Sequence, residues 1–167
     1  MKDKLTIIDF MKEIYNTYNK DWMGFKITEE NPLTYHHIIK EEDGGNKTID
    51  NGALLTKFSH SYLHMIELYD KSIYISINNV LKKINNNKIE PSKKNYYEII
   101  NLLESFEKKY YKELSKNIKL KKYNYQVLKR ISKGKYGLYS PASIRGVMME
   151  GINPEVTKKK KWKVKKK

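Results

Sequence analysis

From Ser59 to Leu114 the apolar residues keep a helical register, and that register limits the chain to a largely α-helical architecture. Leu63, Ile66, Ile73, Ile77, Val80 and Ile84 hold the three- and four-residue steps of one buried face, with Ser59 placed as an N-cap and Asn85-Asn86-Asn87 as the end. Ile73, Ile75 and Ile77 also alternate with period two, so residues 72–78 suit a strand as well; the longer register favours helix. A second stripe follows through Tyr96, Ile99, Leu103, Phe106, Tyr110 and Leu114, with Pro91 suited to its first turn. Residues 3–20 carry a shorter version in Leu5, Ile8, Met11, Tyr15 and Tyr18, which predicts an N-terminal amphipathic helix.

The stretch between these helical regions reads differently. Residues 22–27 are irregular and strand-like, and the turn at Asn31-Pro32 leads into a predicted strand over residues 33–39. Residues 40–50 are polar and contain Gly44-Gly45, which predicts a loop using backbone angles closed to other residues. A second short strand is expected over residues 53–58. The class is therefore α+β and mostly helical, with no internal repeat. It divides into an N-terminal helix and lead-in (1–29), a mixed core (30–70), a helical region (71–135) and an irregular, lysine-rich end (136–167).

The chain has 167 residues and no cysteine. That length suits one domain, and the missing thiols exclude disulfides, zinc ribbons and cysteine nucleophiles, leaving histidine and carboxylate as metal ligands. No apolar run approaches the roughly 20 residues needed to cross a bilayer, and the start reads as amphipathic, not as a secretory leader, so a cytoplasmic protein without a membrane partner is expected.

The formal charge is +15, which favours a polyanionic partner. Its distribution is uneven. Residues 158–167 hold eight lysines and residues 119–136 hold seven Lys/Arg with no acid, whereas residues 29–50 hold six acids and two lysines. Such runs are often solvated faces or tails. Lys119, Lys121, Lys122, Lys129 and Arg130, with Lys158, Lys159, Lys160, Lys161 and Trp162, are nonetheless candidate contacts to nucleic acid. The lysines would give salt-sensitive phosphate affinity, and Trp162 a ring for an unpaired base.

All four histidines, His36, His37, His60 and His64, lie within 29 residues. On a helix His60 and His64 share one face, while neighbours on a strand point apart, so His36 and His37 invite a division of labour. Three neutral imidazoles around a divalent ion leave positions open for water and a phosphate oxygen, and a fourth suits proton transfer near neutral pH. Glu67, three residues after His64, is placed to accept an imidazole N–H, although a solvated carboxylate is the ordinary case. Glu41, Glu42 and Asp43 read as solvated loop residues, with the alternative that one of them approaches the metal.

Tyr35-His36-His37-Ile38-Ile39, then Gly44-Gly45, then Ile49-Asp50-Asn51-Gly52-Ala53-Leu54-Leu55, then His60-x-x-x-His64 resembles the HNH (His-Me finger, ββα-metal) endonuclease motif. Its nearest form is the variant of the colicin DNases, with two adjacent histidines on the first strand. The resemblance covers residues 33–68. It implies that His37 is the general base, that His36, His60 and His64 are the metal ligands, and that Asn51 ties the loop and helps hold the base. It further implies hydrolysis of phosphodiester bonds in DNA, with RNA as the alternative substrate, through one divalent ion: Mg, Mn, Ni or Zn. Many HNH proteins carry aspartate where this chain has His36, and an all-imidazole set suits zinc, nickel, cobalt or manganese better than magnesium. Many also carry zinc-binding cysteine pairs, for which helices must substitute here. The rival reading is a nucleic-acid-binding protein in which a degenerate module holds a structural metal. A basic scaffold without metal would leave the histidine cluster unexplained.

Overall fold

A computed structural model describes residues 4–116. The candidate contacts at residues 119–162 lie outside the described residues. The protein mixes helix and strand: α1 (Ile7–Ile14), β1 (Leu33–His37), β2 (Gly52–Thr56), α2 (Lys57–Tyr69), α3 (Lys71–Asn87) and α4 (Lys93–Lys116). Among the described residues, no helix is long and apolar enough to cross a membrane.

The N-terminal helix is eight residues long and not the longer one predicted over 3–20. Thr6 and Asp9 form a reciprocal capping box at its start. It stops because Asn16 takes a left-handed conformation (φ 47°), so the apolar spacing that runs on to Tyr18 no longer lies on a helix. Tyr15, just past its end, is buried and donates from its hydroxyl to Asn85 O at 2.9 Å. The following turn buries Trp22, Met23 and Phe25. Buried beside them, the Asp21 carboxylate accepts from the backbone N–H groups of Met23, Phe25 and Thr56 and from the hydroxyls of Thr56 and Ser59. Burial pushes its pKa up against those donors. One side chain thus fastens the 21–25 turn to the junction of β2 and α2.

β1 and β2 pair antiparallel, with Leu33 opposite Thr56 and His37 opposite Gly52. Both strands end two residues short of the prediction. β2 runs directly into α2, and the N-cap is Thr56, whose hydroxyl accepts from Ser59 N; Ser59 sits within the first turn. The single helix expected through Ile84 is two, because Asp70 ends α2 and caps α3 by accepting from Ile73 N. A one-residue break keeps the three- and four-residue register, so periodicity alone does not reveal it. Leu63, Ile66, Ile77, Val80 and Ile84 are buried as the stripe requires.

α3 ends at Lys88, left-handed at φ 53°, whose ammonium donates to Asp50, to Asn85 and to the Tyr15 hydroxyl. α4 begins after Ser92, past Pro91, and buries Tyr96, Ile99, Leu103, Phe106 and Leu114. It kinks at Tyr110, whose one hydroxyl proton is shared between Tyr69 O at 2.8 Å and Asp70 Oδ2 at 3.2 Å, while Lys109 pairs with Asp70. The core lies between the hairpin on one side and α2, α3 and α4 on the other.

Candidate metal centre

The hairpin and α2 place the histidines. On β1, Thr34 and His36 share a face by the two-residue period of a strand; on α2, His60 and His64 share a face by the four-residue step. Because β2 leads straight into α2, the two faces meet. The rings of His36 and His60 lie 5.2 Å apart between centroids, His36 and His64 6.0 Å, and His60 and His64 4.8 Å in a stacked arrangement. One nitrogen from each of the three lies within 4.8 Å of the others. Two donors each about 2.1 Å from a tetrahedral ion lie about 3.4 Å apart, so the rings must draw together by an ångström or so to bind one.

Each imidazole has a polar partner at one nitrogen. The His36 Nε2 is 2.8 Å from Asn78 Oδ1, while the Asn78 amide nitrogen donates to Tyr74 O. Nε2 therefore carries the proton and Nδ1 the free lone pair. The His60 Nδ1 is 2.8 Å from the Thr34 hydroxyl, and the His64 Nδ1 is 3.5 Å from Glu67 Oε2. Such outer partners fix tautomer and ring direction. The donor set fits a divalent ion: three imidazole nitrogens, two of whose rings are held by neutral partners, with room left for oxygen ligands.

Burial grades across the set. His36 is 2% exposed, His60 half-buried, and the His64 side chain 52% exposed. Burial lowers His36 to about 3 against the Asn78 hydrogen bond, and burial followed by repulsion from His64 and His37 lowers His60 to about 4. Both rings are neutral at pH 7, as ligation requires.

His37 ends β1 and is half-buried. Its ring meets the Tyr35 ring edge-on at 4.8 Å, and the Tyr35 hydroxyl is held by the backbone of Thr48. Although neighbours on a strand diverge, His36 and His37 both border one cleft of about 230 Å³ with His60, His64, Lys40 and Glu67. Asn51 lies outside that cleft. Its side chain accepts from Ile39 N at 2.8 Å and donates to Ile39 O at 2.9 Å and Asn46 O at 3.0 Å, clamping the chain two residues past His37.

Gly44 and Gly45 serve different ends. Gly44 has φ +88°, the conformation expected of the pair, whereas Gly45 is needed for close approach: a Cβ there would lie 1.8 Å from Ile39 O.

Sequence reasoning missed Thr34, Lys40, Tyr74 and Asn78. Thr34 was findable from the strand period, two residues before His36. Asn78 was findable as a polar residue on the apolar face of α3, seven residues before Asn85, which is also buried and donates to Ile49 O and Gly52 O. Lys40 had no sequence signal. Its ammonium pairs with Glu67, which raises it, and lies 5.7 Å from the centre of the Tyr74 ring. Burial pushes Glu67 up, but Lys40 and His64 outweigh it and hold the carboxyl below its usual range.

Comparison with protein families, with curated proteins and with solved structures finds no match.

Proposed function

We propose that the protein is a metal-dependent endonuclease of the HNH type that hydrolyses phosphodiester bonds in DNA. The observation that carries this reading is the convergence of His36, His60 and His64 within 4.8 Å, with His37 on the rim of the same cleft. A metal site that served only the fold would have no use for a fourth imidazole beside the open side of the cluster.

In this reading His36, His60 and His64 would hold the ion, which when bound would supply Lewis acidity toward the scissile phosphate. His37 takes a proton from the attacking water, its ring steadied by Tyr35 and its strand end by Asn51. Asn78, Thr34 and Glu67 keep the three ligand rings aimed. Lys40, held by Glu67, borders the cleft and would turn to a phosphate only by giving up part of that pairing.

The test is plasmid nicking by wild type and His37→Ala, each with EDTA or with added Mg²⁺, Mn²⁺, Ni²⁺ or Zn²⁺. The expected result is metal-dependent nicking by wild type and none by His37→Ala, with metal affinity unchanged. Binding of DNA by both proteins without nicking under any metal would replace the nuclease with a nucleic-acid-binding protein carrying a structural metal site.

A further inference from the structure

A second hollow, of about 420 Å³, adjoins the histidine cleft, and Lys40, Glu67 and Tyr74 border both. The Lys40–Glu67 ion pair stands where the two meet. One wall of the second hollow is the chain after β1, with Ile39, Glu42 and Asp43; the other is α3, with Ile75, Asn79 and Lys82. Its volume lies within the ~300–1,000 Å³ of small-ligand sites.

The lining matches the parts of a nucleotide. Ile39 and Ile75, each 49% exposed, line this hollow from its two walls and offer apolar contact to a flat group entering it. Lys71 and Lys82 are exposed on α3 and in no ion pair among the described residues. Eleven residues of helix separate them by about 16 Å, so each can reach a different phosphate of a strand lying along α3. The opposite wall offers acceptors in Glu42 and Asp43, which suit the amino groups of bases and would repel phosphate. Glu42 is already drawn to Lys40 at 3.5 Å. At the junction of the two hollows, the buried Tyr74 hydroxyl makes no hydrogen bond of good geometry among the described residues.

We propose that this hollow seats a nucleotide flanking the scissile phosphate, with its base between Ile39 and Ile75 and its backbone along α3 between Lys71 and Lys82. A base so placed has left any duplex stack, so the preferred substrate is an unpaired strand. The inference rests on the nuclease reading for what the hollow leads to.

The experiment uses the full chain in EDTA, so binding is read apart from cleavage. Fluorescence anisotropy compares a short labelled single strand with the same sequence as duplex. It is run for wild type, Lys71→Ala/Lys82→Ala, Ile75→Ala, and the control pair Lys94→Ala/Lys112→Ala, which removes equal charge from α4. The single strand should bind wild type several-fold tighter than duplex, the groove pair should weaken it about fivefold or more, and the control less than about twofold. Ile75→Ala should remove most of the single-strand preference. Equal losses from the two lysine pairs, or no preference for the single strand in wild type, would overturn the proposal. If the binding pattern holds but no metal supports nicking, the hollow stands and the nuclease reading falls.

Discussion

Thr34 and His60, on β1 and α2, share a hydrogen bond of 2.8 Å between the hydroxyl and Nδ1. With the single hydroxyl proton directed to Leu55 O at 2.9 Å, Thr34 accepts from His60 Nδ1–H, the tautomer that metal binding at the opposite nitrogen requires. The lone pair of His60 is therefore on Nε2. Replacing Thr34 by valine keeps the strand shape and removes the acceptor. Zn²⁺ or Ni²⁺ affinity should fall about tenfold by titration calorimetry, the size expected for an outer-shell partner. Unchanged affinity would show that the tautomer is set without Thr34.

Asn51→Ala should act on the loop before the metal. It removes three exposed hydrogen bonds, to both backbone groups of Ile39 and to Asn46 O, at a cost of about 1 kcal/mol because water can replace them. Metal affinity should change little, since Asn51 touches no ligand, while nicking should drop because the strand end bearing His37 is released. Parallel measurement of chemical unfolding, metal titration and nicking checks the split; equal loss of metal and nicking contradicts it.

The two glycines after β1 should respond unequally. Gly45→Ala drives a methyl into Ile39 O, a backbone atom that cannot step aside, and should cost more than about 2 kcal/mol. Gly44→Ala meets open space and should cost only the strain of its positive φ, about 1 kcal/mol. Urea unfolding of both variants decides; equal losses would mean that the loop shifts to admit the Gly45 methyl.

Asp70 gives the stability a definite pH dependence. Its hydrogen bond to Lys109, with help from Ile73 N–H and the Tyr110 hydroxyl, lowers the carboxyl to about 2 against burial. A carboxyl lowered in the folded state contributes stability that is present above its ordinary value near 4 and is lost as pH falls toward 2. Asp70→Asn keeps an oxygen for the α3 cap and loses the ion pair. Wild type should therefore melt higher than Asp70→Asn at pH 6, and the gap should close between pH 4 and pH 2. A gap that persists at pH 2 would assign the difference to packing.

The sequence by itself determined the helix faces and the hairpin that leads into a helix. Leu63, Ile66 and Ile77, or Leu103 and Phe106, are buried because side-chain direction repeats every 3.6 residues whatever the neighbours are. The same local rule put His60 and His64 on one face. What the sequence left open depends on groups far apart along the chain. The tautomer of His36 comes from Asn78, 42 residues away, and Asn78 reaches it only because Asp70 breaks one long helix into two that pack side by side. Lys40 meets Glu67 across 27 residues and Tyr74 beyond it. The direction of a hydrogen bond is settled by what both partners can already donate and accept, and tertiary packing alone decides which partners meet.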